Sequence, residues 1–456
     1  MINKMVKRSY MFLFSILLIH LFILISLQFT AWPEMVSFPY LINRGFVAYR
    51  DMVHAYPPLL INVLAVLYNV FGYNLLVLKI FGWSLILIGD ILIFFIVEKL
   101  TKKRSLAFLA LFGYVLLQPI LEGNMVWPDL AIVPFLLLTF ILLLKKRYVF
   151  AGVAIGLACL TKQTGGLYLV FTILYIVFRE RNLRSLVKFL AAPVVMFLIL
   201  LFSLLTNGAW VEFLNWTIIY PSKYWTKFPG YVQMIPTKRE LIILLVLFSP
   251  LIILIIREFK KFFKDSVFLL LFGFFVIGVV GVYPRFSFFH FQPALAFLVV
   301  LYFYLIRNLN RKFRYFLLII FALIVVFSLK SLHFGGNRFW DRSDLNFAEV
   351  IRHGTRADRP IFLLGLSSSL YTFSNRLPAK PWLDNFGWYF EIPGVQESTI
   401  AGWQEDLPEE IFWQTPQSGN WYDIGTYQPK KITDWIVKNY NREKEVEPGV
   451  WFWKKK

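Results

Sequence analysis

Ionisable side chains are sparse in this chain, and those able to do chemistry fall in a few short stretches between apolar runs. The densest is residues 34–60, EMVSFPYLINRGFVAYRDMVHAYPPLL, which carries Glu34, Arg44, Arg50, Asp51 and His54. Glu122 and Asp129 follow in LEGNMVWPDL, Lys162 in LTKQTGG, and Arg285 and His290 in YPRFSFFHFQPA. Charges beside a hydrocarbon layer are costly, so a working site is the default reading. A carboxylate in such a place can deprotonate or orient a hydroxyl. Lys gives a phosphate group a point charge, and Arg gives it a bidentate fork. Lys162, Arg285 and several carboxylates in one cavity would suit a phosphate-bearing substrate and a proton acceptor. Structural roles stand beside these: a snorkelling side chain for Lys162, an interfacial anchor for Arg285, packing or hydrogen bonding for His290.

The elements that must position these residues are membrane spans. Of 456 residues, 58% are hydrophobic and only 16% charged, and the mean hydropathy is +0.62. Soluble domains are nearer a quarter charged. A span needs roughly 20 apolar residues, fewer where protein shields it. Apolar runs at 9–29, 74–98, 105–118, 128–144, 148–160, 166–178, 186–205, 240–256, 266–283, 291–306 and 315–332 give eleven spans. The runs 148–160 and 166–178 are short, about 20 Å of helix each. They meet at TKQTGG, which sets Lys162 below the surface, where it is tolerable only beside a polar cavity. Residues 57–72 are apolar, begin with Pro and end with Gly, and suit a helix lying at the interface.

The net charge of +20 does not indicate a nucleic-acid partner, because much of it sits in short connections between spans. One set of alternate connections (99–104, 145–147, 179–188, 257–264, 307–314) holds 19 Lys and Arg, and the opposite set holds 8. By the positive-inside rule the first set is cytoplasmic, as is the N-terminus. Eleven spans then put 34–60 and the polar tail outside. The tail, 333–456, is read as a small α/β domain. Its expected elements are a strand in RPIFLLGL (359–366), a helix in KITDWIVKNY (431–440) and a last strand in GVWFWK (449–454). The expected domains are therefore 1–332, a transmembrane domain with a first external loop at 30–73, and 333–456.

Other chemistries lack their residues. There is no nucleotide-cradling glycine loop, no HExxH and no nucleophile elbow. One cysteine and five histidines argue against a Cys/His metal site. Carboxylates remain able to hold Mg²⁺ or Mn²⁺ through oxygen.

The stretches RGFVAYRDMVHAYPPLL, GLACLTKQTGG and YPRFSFFHFQPALAFL, in that order, resemble the GT-C-type polytopic glycosyltransferases. The relatives in question are protein O-mannosyltransferases and aminoarabinose transferase. The tail segments IFLLGLSSSLYTFSNRLPAKPW and IGTYQPKKITDWIVKNY are similar too, so the resemblance extends over most of the chain. It implies a mainly α, GT-C-like bundle that moves a sugar, hexosyl or pentosyl, from a polyprenyl-phosphate donor. The acceptor, a glycan, lipid or protein, would be met outside the membrane. Asp51 matches the aspartate of the YRD motif. Glu34 lies near the place where the family carries a Asp-Glu or Asp-x-Asp pair; here AWPEM replaces it. Both are catalytic candidates in an inverting displacement. Lys162 and Arg285 match basic positions that hold the lipid phosphate, with His290 and Arg50 as further candidates. Glu122 and Asp129 are candidates for acceptor binding or metal ligation. The rival expectation is a transporter or flippase of lipid-linked saccharides, which the one-sided charges and the lack of an inverted repeat disfavour.

Overall fold

The computed structural model describes every residue except Met1, Gln233, Met234, Ile235, Phe263, Asn308, Asn310, Lys330, Ser331, Trp421 and Tyr422. Each of the eleven apolar runs is helical over most of its described residues. In chain order the helices are α1 (Ile2–Ser26), α2 (Glu34–Asn43), α3 (Leu59–Phe71), α4 (Leu75–Thr101), α5 (Arg104–Ile120), α6 (Pro128–Leu144), α7 (Tyr148–Thr161) and α8 (Gly165–Tyr175). A π-helical turn, Ile176–Glu180, extends α8. Then come α9 (Leu183–Thr206), the short α10 (Trp210–Leu214), α11 (Tyr220–Lys223) and α12 (Pro229–Val232), and α13 (Lys238–Phe262), α14 (Ser266–Val280), α15 (Gln292–Ile306) and α16 (Arg311–Ser328). Among the described residues four helices can, by length and composition, cross a membrane alone: Ser9–Ser26, Leu75–Thr101, Leu183–Thr206 and Phe288–Ile306.

The chain forms two compact units. The first comprises Met1–Thr30, Lys79–Leu198 and Ile235–Gly336. Its centre is α15, in which all fifteen residues are buried, packed against α5, α6 and α14. Glycines permit close approach: a Cβ on Gly165 would sit 2.7 Å from the Ala158 backbone. His20 of α1 and Asp90 of α4 are wholly buried and hydrogen-bonded at 2.7 Å. Outward faces carry bare apolar side chains such as Phe22, Phe150 and Phe178, as lipid contact requires.

The second unit comprises Ala31–Leu78, Ile199–Met234 and Asn337–Lys456. Residues 34–60 therefore share a core with the tail: Phe38, Tyr49 and Val53 pack in one cluster with Tyr371, Trp382 and Phe412. Two-residue strands β1 (Phe29–Thr30) and β2 (Asn337–Arg338) precede the tail helices α17 (Arg342–Gly354), α18 (Ser369–Ser374), α19 (Gly387–Phe390), α20 (Val395–Trp403) and α21 (Lys430–Asn439). The tail sheet contains β3 (Ile361–Leu364), β4 (Glu410–Gln414), β5 (Tyr440–Glu447) and β6 (Val450–Lys455) in the order β3-β4-β6-β5. Strands β3 and β4 are parallel, while β4, β6 and β5 run antiparallel. Both strands and the helix expected in the tail are present, and β4 and β5 are additional. Strand β5, NREKEV-rich and at the sheet edge, has mostly exposed side chains, so it lacks the apolar alternation by which strands are read. Helix α2 is likewise a helix inside what the sequence presents as a loop. Residues 57–72 do form a helix, α3, ended by Gly72 at φ +80°, a left-handed geometry that suits glycine.

Candidate functional site

In the second unit the backbone of residues 51–53 runs alongside residue 382. Trp382 N–H donates to the Asp51 carbonyl and Val53 N–H to the Trp382 carbonyl, each at 2.9 Å. This bridge turns the Asp51 side chain inward, where it is 8% exposed. Three groups then donate to its carboxylate: Arg50 Nε at 2.8 Å, Val47 N–H at 3.0 Å and Lys380 Nζ at 2.9 Å. Burial alone would raise the Asp51 carboxyl, but Arg50, the Val47 amide and Lys380 outweigh it and hold it down at about 2. A carboxylate so stabilised is a weak base. Its cations remain half exposed, 47% for Arg50 and 40% for Lys380. Arg50 also donates to the Asn207 carbonyl at 2.9 Å, and the Lys380 ammonium lies 4.4 Å from the Phe46 ring centre. The result is a fixed pair of cations on a buried anion, a geometry able to meet phosphate oxygens.

Beside Asp51, His54 is packed among the rings of Phe38, Tyr49 and Tyr56. Burial pushes its imidazole down to about 3, so it is neutral in ordinary buffers.

The segment that brings Lys380 to Asp51 also carries Asp384. Ser368 Oγ donates to Asp384 Oδ2 at 3.1 Å and lies 3.2 Å from Ser37 Oγ of α2. The Asn385 amide donates to Asp384 Oδ1 at 2.8 Å. Burial raises the Asp384 carboxyl to about 6 in spite of these donors. Glu34 stands in the first turn of α2, where the helix dipole favours a negative charge. Burial first, then Glu34 and Asp384, push the Tyr389 phenol far up. Both carboxylates therefore act on one buried hydroxyl. Lys380 and Asp384 were not singled out from sequence. They lie in LPAKPWLDN, where nothing in spacing marks them; Lys380 becomes visible only through Asp51, 329 positions away, and Asp384 only through its burial beside Ser368.

In the first unit, Asp129 opens α6, with Pro128 at its first position. Lys162 closes α7 and His290 sits in the 3₁₀ turn, Phe288–Phe291, before α15. Lys162 Nζ donates to Asp129 Oδ1, and His290 Nδ1 lies 2.8 Å from Asp129 Oδ2. All three are buried. Lys162 is thus paired inside the protein rather than snorkelling outward. Arg285 acts electrostatically on His290. Glu122 is exposed in the turn after α5, at φ +51°. One oxygen of Asp129 is taken by the Lys162 ammonium and the other by His290 Nδ1, so this donor set does not fit a divalent metal. Among the described residues no three His, Cys, Asp or Glu side chains cluster to hold one.

No protein-family model matches the chain, and no curated protein matches it in sequence. Solved structures do. ArnT from Cupriavidus metallidurans bound to undecaprenyl phosphate superposes with a TM-score of 0.61 at 11% identity, covering 97% of both chains. The same protein in the apo state gives 0.61 at 12% identity, covering 98% of both.

Proposed function

We propose that the fold this chain shares with ArnT, an aminoarabinose transferase of the GT-C type, over 97% of both chains carries a shared class of reaction. From that likeness we propose that the chain is an integral membrane glycosyltransferase using a polyprenyl-phosphate-linked sugar donor. The observation that carries the reading is the correspondence over 97% of both chains with a structure that binds undecaprenyl phosphate. The acceptor hydroxyl attacks the anomeric carbon while the bond to the donor phosphate breaks. The displacement inverts the anomeric centre, and polyprenyl phosphate leaves with the bonding electrons. Glu34 takes the hydroxyl proton, a contribution of about 10²–10⁴-fold. Asp51, held by three donors, is the organiser of Arg50 and Lys380 rather than the base. Arg50 and Lys380, in the same unit as Glu34 and still half exposed on Asp51, meet the leaving phosphate. Lys162 already serves Asp129.

In this reading the N-terminus and the basic connections are cytoplasmic, and transfer occurs outside. The distribution of Lys and Arg supports that sidedness. The test is a reconstitution in sealed vesicles with labelled polyprenyl-phosphate sugar and extracted envelope acceptors. Covalent transfer is expected; movement of intact labelled lipid across the bilayer without transfer would identify a flippase and overturn the proposal. Arg50→Ala, Lys380→Ala and Arg285→Ala then identify the phosphate contact by which of them raises KM for the lipid donor.

A further inference from the structure

A groove of about 990 Å³ opens in the first unit where α4 and α6 end, bordered by Ser9 of α1 and Arg104 of α5. It is about thirty times the volume of a water molecule, far more than an inorganic anion needs. Its walls toward the middle of the helices are apolar: Leu92 and Phe95 of α4, and Leu138, Ile141 and Leu142 of α6. Its far end is cationic, with Lys99, Lys102, Arg104 and Lys145. Arg104 is engaged by Glu98 and by Ser9 Oγ. The three lysines have no carboxylate within 4.0 Å among the described residues. Four cations against one carboxylate leave a local excess of three. Two helix C-termini offset only about half a charge each, so the excess persists.

We infer that this groove binds an anionic glycerophospholipid, with acyl chains along the α4 and α6 walls and the headgroup phosphate among Lys99, Lys102 and Lys145. Apolar walls beside a cationic end are complementary to a lipid, whereas a soluble phosphate would leave most of the groove empty. Basic pockets between transmembrane helices recognise anionic headgroups in this way. The site is separate from the polar clusters of 34–60 and Asp129, and it does not depend on the sugar-transfer reading.

Lipid titration of the detergent-purified full-length protein, followed by native mass spectrometry, tests it. Phosphatidylglycerol is expected to bind at least tenfold more tightly than phosphatidylcholine of the same chains. The variant Lys99→Gln/Lys102→Gln/Lys145→Gln should weaken phosphatidylglycerol by about a hundredfold, roughly fivefold per lysine. Should the triple variant fail to fold, Lys145→Gln alone should give the fivefold loss. The control Lys223→Gln/Lys227→Gln should bind as the parent does. Equal binding of the two lipids, unchanged binding by the lysine variants, or displacement of phosphatidylglycerol by millimolar inorganic phosphate would each overturn the inference.

Discussion

Asp51 shows how much a residue's neighbours decide its use. Its sequence context, YRD, marks it as an acidic candidate equal to Glu34, but the fold surrounds it with Arg50, Lys380 and the Val47 amide. Asp51→Asn should therefore behave as a loss of cation anchoring: kcat/KM falls chiefly through KM, as the two cations lose their fixed positions, and stability drops by about 1–2 kcal/mol. Steady-state kinetics with varied lipid donor checks the split. The stabilisation from Asp51 is present above about pH 4 and is lost as pH falls toward 2, because its folded carboxyl is depressed. Two other buried groups act in opposite senses at milder pH. His54 stays neutral to about pH 3 while the unfolded chain takes up its proton near 6.5, so acidification costs about 1.4 kcal/mol per pH unit across that range. Asp384 holds a proton below about pH 6, where the unfolded chain is still ionised down to about 4, so acidification there returns the same amount. The two slopes cancel between pH 6 and 4. In Asp384→Asn the His54 slope stands alone, and the thermal midpoint in neutral detergent should fall steadily from pH 6 to 4. A flat profile in that variant would contradict the placement of His54.

At the scale of elements, the membrane helices were legible because hydrocarbon leaves no alternative to long apolar helices. The break at TKQTGG was legible for the same reason: Lys162 cannot stand unpaired among apolar runs. Its partner was not, since Asp129 and His290 come from positions 33 and 128 residues away. The His20–Asp90 link between α1 and α4 was hidden likewise; one histidine in an apolar run has no spacing signal. Asp90→Leu should leave His20 without its hydrogen bond and lower stability by about 1–3 kcal/mol. Replacing both residues by Leu should recover most of it, because an apolar pair needs no desolvation compensation. Thermal unfolding of the three variants in detergent measures this directly. The charged edge strand β5 and the helix α2 escaped sequence reading because backbone pairing with β6 holds the first and burial holds the second, not periodicity.

At the scale of the whole molecule, the division at residue 332 expected from composition follows polarity, whereas the compact units follow contacts. Residues 31–78 and 199–234 fold with the tail, so the unit bearing Glu34, Asp51, Lys380 and Asp384 is assembled from three separated stretches. Composition marks what is wet and what is greasy, but not which wet segments share a core. The proposed sidedness has its own check: single cysteines at Lys431 and Lys146, in a Cys159→Ser background, should react with an impermeant thiol reagent in whole cells at 431 and not at 146. The reverse pattern would invert the topology.

In the proposed reaction this chain breaks the bond between a sugar and a polyprenyl phosphate, with Glu34 as proton acceptor. The most direct measurement is release of free polyprenyl phosphate from a polyprenyl-phosphate sugar by the purified protein, supplied with acceptor, for the parent and for Glu34→Gln at equal folded amounts. Release by the parent is expected, with a loss of about 10²–10⁴-fold in kcat for Glu34→Gln and donor KM little changed. Undiminished release by Glu34→Gln, or no release by the parent with any polyprenyl-phosphate sugar, would contradict it.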